Sequence, residues 1–66
     1  MDIPNLDAMN SDELVAFIAT ATALANYAST KLDAMEHRST GNVSIALQRE
    51  AKCERIYSKL PATARW

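Results

Sequence analysis

Glycine is almost missing from this chain: Gly41 is the only one in 66 residues, and Pro4 and Pro61 are the only prolines. So few turn-forming residues argue against a strand-rich protein and against a disordered low-complexity chain. Cys53 stands alone, so there is no internal disulfide, and no Cys/His cluster has the spacing of a zinc site. Charge is missing too. No basic residue precedes Lys31, and no charge of either sign lies between Glu13 and Lys31. The N-terminal stretch MDIPNLDAMNSDE is acidic where a secretory leader requires a basic region, so no leader is expected. The lone thiol fits a reduced, cytoplasmic setting.

The uncharged run from Leu14 to Thr30 covers 17 residues, interrupted by Thr20, Thr22, Asn26, Ser29 and Thr30. A membrane span needs ~20 predominantly apolar residues. The run therefore reads as a core helix, and no membrane association is expected.

Apolar residues make up 48% of the chain, but twelve of them are alanines, each burying little area. A single core of this size rarely supplies more than ~3–5 kcal/mol without a staple such as disulfides, a metal or oligomerisation. With disulfides and zinc set aside, oligomerisation is the staple that remains. The charge distribution suits it. Residues 1–30 hold four acidic and no basic side chains, a formal −4, and residues 31–66 hold seven basic against four acidic, a formal +3. Such a split favours antiparallel association, or a basic contact surface at one end.

The first ten residues read as an arm with spaced apolar residues Ile3, Leu6 and Met9, and Pro4 suits the opening of a short helical turn. Asn10 and Glu13 have the spacing of a capping box, Met9 and Leu14 that of a hydrophobic staple. A long helix is expected over about 11–38, closed by His37 and Arg38 in its last turn and by Gly41 beyond it. Along it Leu14, Ile18, Ala21, Ala25, Ala28, Leu32 and Met35 alternate spacings of four and three, a heptad seam with alanine in its middle. Phe17, Leu24 and Tyr27 widen the apolar face, and an arc this broad serves more than one neighbour.

A second helix is expected over about 43–60, capped by Asn42 and stopped by Pro61. At about 100° per residue its apolar face gathers Val43, Ile45, Ala46, Leu47, Cys53, Ile56, Tyr57 and Leu60. The short connection makes an antiparallel hairpin. Its arms are unequal, so Leu14, Phe17 and Ile18 overhang the second helix and need cover from the termini or from a second chain.

Glu50 breaks the apolar arc of the second helix and must be paired there. Reflection about the turn sets it across from Lys31, predicting a Lys31–Glu50 ion pair. His37 reads as a residue favoured by the helix C-terminus, with no acid or thiol at ligand spacing except its immediate neighbour Glu36, which points elsewhere. Cys53 reads as a small buried hydrophobe. No spacing of Ser, His and Asp indicates a triad and no glycine-rich loop cradles phosphate, so no catalytic, cofactor or metal residues are assigned and no small-molecule substrate is inferred. Arg49, Lys52, Arg55 and Lys59 share one side of the second helix, a face with the charge needed to grip nucleic-acid backbone.

The stretch GNVSIALQREAKC resembles the second half of a tetratricopeptide-type helical hairpin, with Gly41, Val43, Ala46 and Cys53 where that repeat places Gly, an aromatic, Ala and Ala. Glu50 stands where the repeat has a large aromatic, and Asp33 where its first helix has Leu. One unit fits, over roughly a third of the chain. The resemblance implies hairpin geometry and no ligand.

The expected architecture is a single all-α domain, a helical hairpin with an N-terminal arm (1–10) and a tail (61–66), pairing with a second copy into a four-helix bundle. The expected role is a non-enzymatic interaction or oligomerisation module, a homodimer or a piece that docks on a larger protein. The contact residues would be Leu14, Phe17, Ile18, Ala21, Leu24, Ala25 and Ala28. The alternative is a nucleic-acid-binding hairpin dimer using the basic face of the second helix.

Overall fold

A computed structural model describes residues 4–66. Its main elements are α1 (Ser11–Ser39) and α2 (Val43–Lys59), flanked by single 3-10 turns at Leu6–Ala8 and Ala62–Ala64. The two helices pack as an antiparallel hairpin, and there is no strand among the described residues. Ile3, expected to contribute to the arm, lies outside them. The turn in the arm starts after Asn5, whose side chain accepts from the Asp7 N–H at 3.2 Å, and not at Pro4.

Both ends of α1 follow local chemistry. Asn10 Oδ1 accepts from the Glu13 N–H at 2.9 Å while Glu13 Oε1 accepts from the Asn10 N–H at 3.2 Å, closing the capping box. At the other end Gly41 takes φ 85°, and the Asn42 and Gly41 N–H groups donate to the His37 and Arg38 carbonyls. This is the Schellman arrangement, which needs a left-handed residue that glycine adopts without strain. It also alters the start of α2. Asn42, expected as a side-chain cap, makes no such bond; its amide donates to Thr40 Oγ1 at 3.4 Å instead. Its backbone is committed to closing α1, which leaves its φ and ψ outside the extended region a cap residue uses.

The interface between the helices is narrow and built from small side chains. Thr30 and Ala34 of α1 are buried, as are Ala46 and Cys53 of α2, with Leu60 and Ala64 beyond its end. Among the described residues Leu60 is the only large side chain wholly enclosed, at 1% exposure. The Cys53 thiol donates to the Tyr27 carbonyl at 3.8 Å.

This inner seam differs from the one expected. Phe17, Thr20, Leu24, Tyr27, Thr30, Ala34 and His37 are the buried or half-buried positions along it. Thr20, Tyr27 and Ala34 each precede by one residue an expected seam member, a rotation of about 100°. Two ion pairs account for the phase. Asp33 Oδ2 meets Arg49 Nε at 2.6 Å, and Glu50 Oε1 meets Arg38 Nη2 at 2.6 Å. They bracket Ala34 and bring it onto Ala46 and Cys53, whose small volume allows close approach. On α2, correspondingly, Val43, Ile45 and Leu47 of the expected apolar face are exposed.

The termini fold onto the overhang. Pro4 from the arm and Thr63 and Ala64 from the tail line, with Phe17, Thr20, Ala21 and Leu24, a shallow cavity of about 310 Å³. Phe17 is half-buried in consequence, and Leu14 is half-buried as well. Arg65 holds the tail by donating from Nε to the Leu60 carbonyl at 2.9 Å and from Nη2 to the Ser58 carbonyl at 3.2 Å, satisfying helix-end acceptors. Trp66 then lies edge-on to Tyr27 and Tyr57, 4.8 Å from each ring centre, and the Tyr57 hydroxyl donates to its backbone oxygen.

Candidate interaction surface

The expected heptad seam of α1 is left open to solvent over most of its length. Ile18, Leu32 and Met35 are 61%, 56% and 60% exposed, and Val15 beside them 67%. Ala25 and Ala28 are exposed too, while Leu14 and Ala21 are half-buried. These positions lie on the side of α1 turned away from Thr30 and Ala34, and therefore away from α2. From Leu14 to Met35 the stripe runs about 32 Å along the helix. The helix thus has two apolar faces, one packed in its own hairpin and one without a neighbour among the described residues.

The residues assigned from sequence divide between them. Ile18, Ala25 and Ala28 belong to the open face, with the half-buried Leu14 and Ala21 at its edge toward the termini. Phe17 and Leu24 turn inward toward the termini and belong to the fold. Val15, Leu32 and Met35 are exposed members that the contact set left out; Leu32 and Met35 continue the same four-three spacing, which was the signal available for them.

The polar assignments shift as well. Glu50 does not pair with Lys31: its carboxylate accepts from Arg38 at 3.1 Å (Nε) and 2.6 Å (Nη2), next to the turn. Arg38 lies about two helical turns of α1 beyond Lys31, and its guanidinium offers two donors to one oxygen where an ammonium offers a point charge. His37 has a carboxylate four residues back that the reading of its neighbours passed over, Asp33, at 3.4 Å from Nε2. Asp33 also takes Arg49, which removes Arg49 from the basic stripe. Lys52, Arg55 and Lys59 are exposed and make no salt bridge among the described residues.

On one flank of the hairpin Tyr27, Tyr57 and Trp66 meet Lys31, Met35, Glu50, Cys53 and Glu54 around an open groove of about 480 Å³. Its rings pack on one another rather than on empty space, and the groove works as the seat of the tail. On the other flank Lys52 stands beside Leu32 and Glu36, at the rim of the open face.

No helix among the described residues is long and apolar enough to cross a membrane. Fold and surface together define an all-α helical hairpin with a second apolar helix face that has no partner among the described residues. Comparison with protein families, with curated proteins and with solved structures gives no match. The tetratricopeptide resemblance accordingly stays at hairpin geometry, to which the buried Ala46 and Cys53 conform.

Proposed function

We propose that this chain is a small non-enzymatic interaction module that docks an apolar helix against the outer face of α1. The observation that supports this reading is the exposed heptad stripe of Ile18, Ala25, Ala28, Leu32 and Met35. Large exposed apolar residues scattered singly are ordinary; a continuous row at coiled-coil spacing is the signature of a missing helix. Docking also contributes the stability that so thin a core lacks.

The reading is tested by placing a photo-crosslinking residue at position 18, 32 or 55 of the chain in its native cell. Protein adducts at 18 and 32, and none at 55, are expected. Adducts at 55 to nucleic acid, with 18 and 32 silent, would overturn it in favour of the basic face of α2. That alternative is the weaker one because Arg49 is engaged by Asp33, leaving Lys52, Arg55 and Lys59. Anisotropy of a short duplex at low salt is expected to show weak binding at most, with little change in Lys52→Glu or Arg55→Glu.

A further inference from the structure

We infer that the occupant of the outer face of α1 is a second copy of this chain, running antiparallel, with the two-fold axis passing close to Ala25. The inference rests on the docking reading and names its partner.

The size pattern along the stripe carries the argument. Leu14 and Ile18 stand at one end, Leu32 and Met35 at the other, and Ala21, Ala25 and Ala28 between them. The order large, small, large reads alike in both directions. Two helices packed at the usual small crossing angle of about 20° are closest at the crossing point and diverge on either side. Alanine at the centre admits the close approach, and the larger side chains fill the gap as the axes separate. A copy of the same helix, turned end for end, satisfies both requirements with its own sequence. Such an interface is isologous, with each contact made twice.

Charge selects the antiparallel sense. A parallel pair would bring Asp7, Asp12 and Glu13 of both chains to one end, where neither chain has a basic residue before Lys31. An antiparallel pair separates the two acidic ends and brings each toward the partner's side where Lys52, which makes no salt bridge among the described residues, rims the stripe beside Leu32 and Glu36; His37 and Arg38 face Asp33 and Glu50 within their own chain. The helix dipoles then run head to tail as well.

The outer face is on the far side of α1 from α2, so the assembly has a definite layout. The two α1 helices meet in the middle and each α2 lies outside, four helices in a row of α2, α1, α1 and α2. Each hairpin keeps its own core, and the new contact is a helix pair. A stable interface removes roughly 800 Å² from each partner, about a sixth of the 5058 Å² surface of the chain.

The test uses the full chain with Cys53→Ala, which removes its single thiol, and adds one cysteine at a time. Equal amounts of Ile18→Cys and Leu32→Cys chains, mixed and mildly oxidised, are expected to give chiefly the mixed 18–32 disulfide. Arg55→Cys, on the outside of α2, is expected to stay uncrosslinked. In the unmodified chain, sedimentation is expected to show a dimer, and Ile18→Asp to raise its dissociation constant by about a hundredfold or more, the contact being lost twice. Circular dichroism of Ile18→Asp is expected to keep the hairpin, because Ile18 is outside the hairpin core. Homodisulfides at 18 and at 32 in place of the mixed product would overturn the antiparallel inference and leave docking on this face standing. A monomer at every concentration would overturn the second-copy inference, and the photo-crosslinks at 18 and 32 would then decide whether docking on this face stands without it.

Discussion

Asp33 serves two partners at once, accepting from Arg49 across the hairpin and facing His37 one turn along its own helix. Its side chain is about two-fifths exposed, as is that of Arg49, so water screens the pair. Exposed pairs of this kind contribute about 0.2–1 kcal/mol. Asp33→Ala is expected to lower stability by about that amount, measured by urea unfolding, because the second partner adds little in such solvent. Lys31→Met, which touches neither of the two ion pairs between the helices, is expected to stay within about 0.5 kcal/mol of the parent. Double-mutant cycles on Asp33 with Arg49 and on Arg38 with Glu50 isolate the two pairs; couplings indistinguishable from zero in both would show that packing alone sets the phase of α1. Cys53 belongs to this scale too. Its thiol is enclosed and bonded to the Tyr27 carbonyl, a packing role.

At the scale of elements, the turn after α1 depends on one backbone torsion. Gly41 has φ 85° and open space where a Cβ would project, so substitution there carries a conformational penalty and no steric one. Gly41→Ala is expected to cost about 1–2 kcal/mol, the usual price of a left-handed L-residue, without altering the hairpin in circular dichroism. Asn10→Ala opens the capping box at the other end of α1 and is expected to cost about 1 kcal/mol. The tail is a further element. Arg65 ties it to the end of α2, and Trp66, the only tryptophan, sits edge-on to two tyrosines. Arg65→Ala is expected to release it, weakening the near-ultraviolet circular dichroism of the Tyr27–Tyr57–Trp66 cluster with helix content unchanged; the emission of Trp66, already 67% exposed, is expected to shift little. A near-ultraviolet spectrum identical to the parent would show that the aromatic contacts hold the tail without the guanidinium.

For the molecule as a whole the shortage is of core. Leu60 is the one fully enclosed large side chain among the described residues. Removing such a group costs about 2–5 kcal/mol, comparable to the ~3–5 kcal/mol that a core of this size supplies. Leu60→Ala is therefore expected to leave the chain largely unfolded at micromolar concentration. If the outer face of α1 is paired, the midpoint of thermal unfolding is expected to rise with protein concentration, by mass action. A midpoint independent of concentration would mean that the hairpin, arm and tail suffice by themselves.

Much of this was legible in the residues. The bounds of both helices to within a residue, the capping box and the glycine stop of α1 were legible because each depends on interactions within four or five residues, where local chemistry is decisive. The antiparallel hairpin followed from a connection too short for anything else. The heptad stripe was visible as well, although its apolar regularity made it the natural choice for the inside of the hairpin. Which of two apolar faces turns inward was settled by partners distant in sequence: Arg49 on Asp33, Glu50 on Arg38, and Ala46 and Cys53 against Ala34. A rotation of about 100° leaves a helix's own backbone bonds unchanged, so nothing within α1 could choose between the faces. The seat of Trp66 was hidden for the same reason, since it requires Tyr27 and Tyr57 to be brought together and the tail turned back by Arg65. The sequence alone determined where helices begin and end, through short-range hydrogen bonding and backbone sterics. Only the tertiary structure decided their phase, because long-range ion pairs and the close fit of small side chains act once the two helices meet.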